Sequence, residues 1–194
     1  MRQKEAGHDY YPWGGDFTIC SLKGSVAVVL LTIDHIPPDD VAIYGSLKTE
    51  NIGIEKIVAN VISNPHIRHL IVCGEDIRGH RSGSSLVALY KNGIDEQHKI
   101  IDAPGAIPYI ENLKQDALER FQAQVEVIDL IGTTDAEKID CVIHEYTAKS
   151  PPSFGKPYIA IRITPETTTT IGDKRALHSR IVMNYMGKVE KRGK

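Results

Sequence analysis

The chain has 194 residues, 41% of them hydrophobic and 25% charged, with a formal net charge of -2. That length supports one domain with a substantial core, and the near-neutral charge gives no global attraction to nucleic acid. No apolar run approaches the roughly 20 residues that a membrane span needs. The polar N-terminus lacks a signal core, and Cys20, Cys73 and Cys141 form no CxxC. These features argue against a zinc ribbon or a disulfide framework and for a cytoplasmic protein with no direct membrane span.

Phe17 to Leu22 and Val26 to Ile33 are two β-rich runs separated by Lys23-Gly24-Ser25, a spacing that predicts a hairpin. Val26 to Leu31 is continuously apolar, as a strand covered on both faces requires. Pro37 and Pro38 break the chain, and Val41 to Leu47 is a further short strand. From Ile54 to Ile62, apolar residues recur at i, i+3, i+4, i+7 and i+8. That spacing predicts an amphipathic helix, capped by Thr49 or Asn51 and stopped at Asn64-Pro65. Leu70 to Cys73 reads as a buried strand. Ser82 to Lys91 reads as a helix with Ser82 as N-cap and Gly93 beyond its C-terminus.

After a loop at Pro104 to Pro108, a helix carries Leu113, Ala117 and Phe121 inward, and Val125 to Ile131 is a strand. Thr134 and Glu137 have capping-box spacing ahead of a helix with Ile139, Val142, Ile143 and Tyr146 on one face. Tyr158 to Ile163 alternates like a half-exposed strand, Thr164 to Asp173 is a Thr-rich loop, and Arg180 to Met186 is a last strand. The tail carries Lys188, Lys191, Arg192 and Lys194 and reads as a solvated end. Alternating strands and helices predict an α/β fold, a mostly parallel sheet with helices on both faces. The whole chain reads as one such domain, with an N-terminal hairpin and an added C-terminal β segment.

Ligands of such folds bind outside the carboxyl ends of the strands. The stretch Gly74 to Ser85, GEDIRGHRSGSS, is one of those loops. Its GxxxxG frame resembles a phosphate loop, but His80 and Arg81 stand where lysine and a metal-binding hydroxyl are required. A nucleotide held by Arg78 and Arg81 is a weaker alternative. His80 is either a solvated loop residue or a metal ligand; no other Cys or His lies nearby at ligand spacing, so a ligand role suits a metal whose other positions a macrocycle fills. His66 and His69 form a lone i, i+3 pair, and Asp34-His35 ends a strand at the same edge. Asp76, Asp102 and Asp135 are acidic residues without a paired partner in sequence.

The segments KTENIGIEKIVANVISNP (from Lys48), LIVCG (from Leu70), Gly79-His80, Ser85-Leu86, Asn92-Gly93 and GAIPYIEN (from Gly105) carry a resemblance. They are similar to the A subunit of tetrahydromethanopterin S-methyltransferase, the corrinoid carrier of a sodium-pumping enzyme of methanogenic archaea. The similarity runs from about Val26 to Ile131; the tail from Pro151 has no recognised counterpart, and Arg81 and Ser84 depart from the expected pattern. The resemblance implies a Rossmann-like domain that binds cobalamin or a related cobamide, with His80 as lower axial ligand of cobalt. It implies methyl transfer from methyl-tetrahydromethanopterin through cobalt to coenzyme M, and other methyltransferase subunits as partners. Loop position and resemblance together assign the walls of the site to Thr49, Glu50 and Asn51, to Gly74 and Glu75, to Gly83 and Ser84, and to Gly105, Ala106 and Ile107. Members of that family end in a membrane helix that this sequence does not show, so the expectation is a soluble homologue. The rival reading is a non-catalytic interaction or regulatory protein that kept the fold.

Overall fold

The computed structural model describes residues 10–161 and the strand segments 181–183 and 189–191. A five-stranded sheet has the order β1-β3-β2-β4-β5, with β1 Phe17–Ile19, β2 Val26–Leu30, β3 Ile43–Ser46, β4 His69–Gly74 and β5 Glu126–Ile131. Strands β3, β2, β4 and β5 are parallel, and β1 pairs antiparallel with β3 at one edge. Four helices accompany the sheet: α1 Ile52–Ser63, α2 Ser82–Asn92, α3 Gln115–Gln124 and α4 Ala136–Lys149. This is the expected α/β, Rossmann-like architecture.

Alternation along each strand divides the core. Ala27, Val29, Leu70 and Val72 face one way, into a cluster with Ile54, Val58 and Ile62 of α1, Leu86 and Leu89 of α2, and Phe121 of α3. Val26, Val28, Leu30, Ile71 and Cys73 face the other way, against Ile139 and Ile143 of α4. Three helices therefore cover one face and one covers the other. Burying each such side chain contributes roughly 1.5–3 kcal/mol. Gln124 closes the far end of α1: its buried side-chain amide donates to the carbonyls of Val61, Asn64 and Ile67 at 3.1, 2.9 and 3.1 Å.

The expected hairpin of the first two strands is not formed. A turn is present, with Gly24 N–H donating to Ser21 O at 3.1 Å, but β3 lies between β1 and β2. All five residues of β2 are buried, so β2 must take a central position with cover on both faces. The exposed pattern of β1 suits an edge. Gly24 fits this path because a Cβ there would lie 2.5 Å from Ala42 N.

Two caps also differ from expectation. The N-cap of α2 is Arg81, in the left-handed region at φ 45°, with no cap bond from its side chain. The Asp76 carboxylate instead accepts from the N–H groups of Gly83 and Ser84, both at 2.9 Å. The N-cap of α4 is Asp135, whose carboxylate accepts from Glu137 and Lys138 N–H, in place of the Thr134–Glu137 box. Asn51 caps α1 as expected.

Residues 158–161 form no strand. Their entry is pinned by Tyr158 N–H donating to Ile62 O at 3.1 Å, and Arg68 and Arg120 both lie against the Phe154 ring. The rest of the predicted strand and the Thr-rich loop lie outside the described residues. β6 Ile181–Met183 falls in the expected last strand and pairs antiparallel with β7 Val189–Lys191 as a separate sheet. No helix among the described residues is long and apolar enough to cross a membrane.

Candidate functional site

The chain leaves β2 toward β3 on one side, and β4 lies on the other. Where strand order reverses in this way, the loops at the carboxyl ends diverge and leave a crevice. The loop from Gly74 to Arg81 leaves β4 there. Gly74 turns it with φ 93°, and its N–H and C=O are both bonded to the loop after β5, through Thr133 O and Gly132 N–H. Thr32, after β2, donates from its N–H and its hydroxyl to Glu75 O. A Cβ at Gly83 would lie 2.6 Å from Leu31 Cδ1, so glycine lets the start of α2 seat against the end of β2.

His80 stands at the tip of this loop, in a turn closed by His80 and Arg81 N–H groups donating to Ile77 O. Its imidazole Nδ1 lies 2.9 Å from Glu50 Oε2; the His80 side chain is 55% exposed and that of Glu50 only 3%. The other Glu50 oxygen accepts from Ile107 N–H at 2.9 Å. Burial pushes the Glu50 carboxyl up. Hydrogen bonds from its own backbone N–H, from Ile107 N–H and from His80 outweigh that and hold it below its ordinary value. Glu50 is therefore an ionised carboxylate at neutral pH, which can only accept. A carboxylate there requires a proton on Nδ1, so in the neutral imidazole the lone pair is on Nε2. Nε2 has no hydrogen-bond partner among the described residues. Gly79, at φ 88°, leaves open space beside the ring: nothing lies within 4 Å of a Cβ built there.

Gly105 completes the cluster. A Cβ at that position would lie 2.7 Å from His80 O, 2.7 Å from Ser85 Oγ and 2.8 Å from Glu50 Cγ. Ser85 Oγ accepts from Gly105 N–H at 3.2 Å and donates to Arg81 O at 2.9 Å. Five residues after Glu50, a second buried carboxylate, Glu55, accepts from Asn112 N–H and Asn112 Nδ2, both at 2.7 Å, and also from Glu111 N–H. The two long segments KTENIGIEK and GAIPYIEN are thus partners in space. Glu50 and Glu55 of the first hold the backbone of Ile107, Glu111 and Asn112 in the second.

The structure brings Glu50, His80, Gly105 and Ile107 together. Thr49 and Asn51 are spent on the start of α1, where Thr49 Oγ1 accepts from Gly53 N–H and Asn51 Oδ1 from Ile52 N–H. Gly74 and Glu75 line the side toward Thr32. Gly83 and Ser84 sit beneath the loop through Asp76, and Ala106 is exposed. Asp76 and Ser85 are not among the expected wall residues. Asp76 caps a helix from six residues before it, a distance at which no short capping pattern signals the role.

The other candidates are used elsewhere. His35 Nε2 lies 2.9 Å from Asp140 Oδ1 of α4. His69 is buried at the amino end of β4, away from the crevice. Arg78 and Arg81 are exposed. Among the described residues, no three of His, Cys, Asp and Glu converge as metal ligands.

The sequence profile of one protein family, the A subunit of tetrahydromethanopterin S-methyltransferase, matches residues 3–170. That extends the similarity beyond Val26 to Ile131 at both ends, and into the segment after Pro151. The A subunit of tetrahydromethanopterin S-methyltransferase from Methanosarcina acetivorans is 43% identical over 157 residues, 78% of this chain and 65% of the relative. The chain thus spans just under two thirds of that relative's length. A Methanosarcina barkeri protein named for the A subunit of the methyltransferase Mtx is 44% identical, over 76% of this chain and 75% of its own. The second of two A subunits of tetrahydromethanopterin S-methyltransferase from Methanobrevibacter ruminantium is 44% identical, over 78% of this chain and 81% of its own.

Proposed function

Because the chain belongs to the family of tetrahydromethanopterin S-methyltransferase A subunits, we propose that it is a corrinoid-binding methyl carrier in which His80 is the lower axial ligand of cobalt. In this reading the methyl group comes from methyl-tetrahydromethanopterin and leaves to coenzyme M, and the chain works with other methyltransferase subunits. The observation that carries the reading is the Glu50–His80 pair. A half-exposed imidazole has one nitrogen bound to a buried carboxylate at 2.9 Å and the other without a hydrogen-bond partner among the described residues. Metal-bound histidines recur in that arrangement, because the carboxylate fixes the tautomer and raises the basicity of the ligating nitrogen.

The residues present fit a planar macrocycle. Gly79 leaves the backbone beside His80 open, and Gly105 brings a second loop against the His80 backbone. A bound cobalt corrinoid would supply the nucleophilic, methyl-accepting metal that no side chain can provide. The chain's own part is to bind, orient and shield. His80 Nε2 offers the lone pair, and Glu50 holds the Nδ1 proton. Asp76 fixes the loop by capping α2. Gly105 and Ile107 form the wall nearest His80 and Glu50; Gly74, Glu75, Gly83, Ser84 and Ala106 form its outer parts; and Thr49 and Asn51 fix the start of α1 beside Glu50.

The test is an absorption spectrum of the protein reconstituted with cobalamin. The wild-type spectrum is that of histidine-ligated cobalt, and His80→Ala shifts it toward the spectrum without that ligand. Identical spectra for the two proteins would remove the axial role.

A further inference from the structure

The connection from β2 to β3 carries no helix. Its loop, from Thr32 to Asp40, is fastened to α4 instead. His35 turns inward, with its side chain 8% exposed and its Nε2 2.9 Å from Asp140 Oδ1. Pro37 is buried, and Val41 N–H donates to Pro38 O at 3.3 Å. Ile36 lies between the two inward residues and is held outward, 76% exposed. Folding gains little from a large apolar side chain in that position, and its fixed seat lowers the ordering cost of a contact. Asp34, Asp39 and Asp40 flank it in the loop, all exposed. None of the three has an ion-pair partner among the described residues. The loop thus presents an apolar knob with acidic flanks.

A concavity of matching character lies on the other face of the sheet. It is a cleft of about 220 Å³ between α1 and the β1–β3 edge. Ala27, Val29, Ile43, Val61 and Leu70, all buried, form its apolar floor. Lys48, Lys56 and the 40% exposed Ile52 are among its outer residues. Lys48 and Asp16 are 70% and 86% exposed and 3.8 Å apart, a pair that contributes little. Lys56 has no ion-pair partner among the described residues. An apolar cavity of about 150 Å³ holds benzene, so this cleft has room for one branched four-carbon side chain.

We infer that the cleft takes the Ile36 knob of a second copy of this chain, with the acidic flanks of the knob against Lys48 and Lys56. Opposite charges surround an apolar centre on each side, which is the pattern of complementary surfaces. Knob and cleft lie on opposite faces of one sheet, so a chain cannot fill its own cleft, and the contact joins two different surfaces of two copies. One isoleucine and three aspartates make a contact well below the roughly 800 Å² per partner of a standard stable interface, so the association is weak and depends on concentration. Thr32, in the same loop, donates from its N–H and its hydroxyl to Glu75 O. The contact therefore lies one hydrogen-bonded step from the loop that carries His80.

Analytical ultracentrifugation of the full chain tests this, at low salt, where charge pairs are least screened, and from micromolar to millimolar concentration. Wild type is expected to move from monomer toward larger species as concentration rises. Ile36→Asp and Lys56→Glu are each expected to remain monomeric over the same range. Ile36 is largely exposed and Lys56 is on the partly exposed side of α1, so both variants keep the fold. Mixed in equal amounts, the two variants are expected to form a one-to-one pair, because the first keeps an intact cleft and the second an intact knob. A wild type that stays monomeric throughout, association retained by either variant alone, or a mixture that stays monomeric overturns the inference.

Discussion

Glu50 is the residue on which the site turns. Its carboxylate is shared between the His80 ring and the Ile107 N–H, so one buried group orients the ligand histidine and one wall of the crevice. Glu50→Gln keeps the shape but presents no full negative charge to Nδ1. The expected result is corrinoid affinity lowered by about 10- to 100-fold, the usual effect of losing a metal ligand's carboxylate partner. Isothermal titration with cobalamin measures this; unchanged affinity would show that Glu50 only supports the fold. His80 stands out in the sequence as a histidine after glycine at a strand-to-helix turn, but that position leaves it either a solvated residue or a ligand, and only the family resemblance assigns it the ligand role. The role of Glu50 is not legible there. The sequence offers it only as a wall residue, because its partner lies thirty positions away and only tertiary packing buries it.

At the scale of elements, the His80 loop is held by α2 through a cap from outside the helix. Asp76 accepts from Gly83 and Ser84 N–H and from Ser84 Oγ, the last at 2.7 Å. Asp76→Ala removes all three bonds. A loss of about 1–2 kcal/mol is expected from the cap alone, and a weakened hold on His80 should lower corrinoid affinity with it. Urea unfolding and cobalamin titration of the same variant check both. A stability loss with affinity intact would separate the cap from the site. The central helix α1 and the strands β2, β4 and β5 are legible from periodicity and apolar runs. The pairing of β1 is not: a turn signal between two strands fixes their closeness in sequence, whereas strand order depends on which strand needs cover on both faces. The caps at Asp76 and Asp135 escape a sequence reading for a related reason. Several acceptors compete near each helix start, and the fold decides which one reaches the amides.

For the molecule as a whole, acid acts through groups that folding holds deprotonated. Burial lowers the His69 pKa from its ordinary 6.5, with Lys149 and Arg68 adding to the effect and Glu126 opposing it. Glu50 is held below its ordinary 4.5 despite its burial. In both cases the unfolded chain binds the proton more readily, so stability falls as pH falls. The loss begins below 6.5 through His69 and deepens below 4.5 as Glu50 is protonated and releases His80 and Ile107. Melting temperature measured from neutral to acidic pH should drop in that order. In His69→Phe the first phase should shrink while the second remains, and a flat profile across both ranges would contradict the assignment.

The corrinoid proposal stands on His80 Nε2 reaching cobalt. Electron paramagnetic resonance of the cobalt(II) form tests this most directly, on protein reconstituted with cobalamin and carrying nitrogen-15 in its histidines. The axial nitrogen splitting is expected to change with the label and to disappear in His80→Ala. A splitting that ignores the label, arising from the corrinoid's own base, would contradict it.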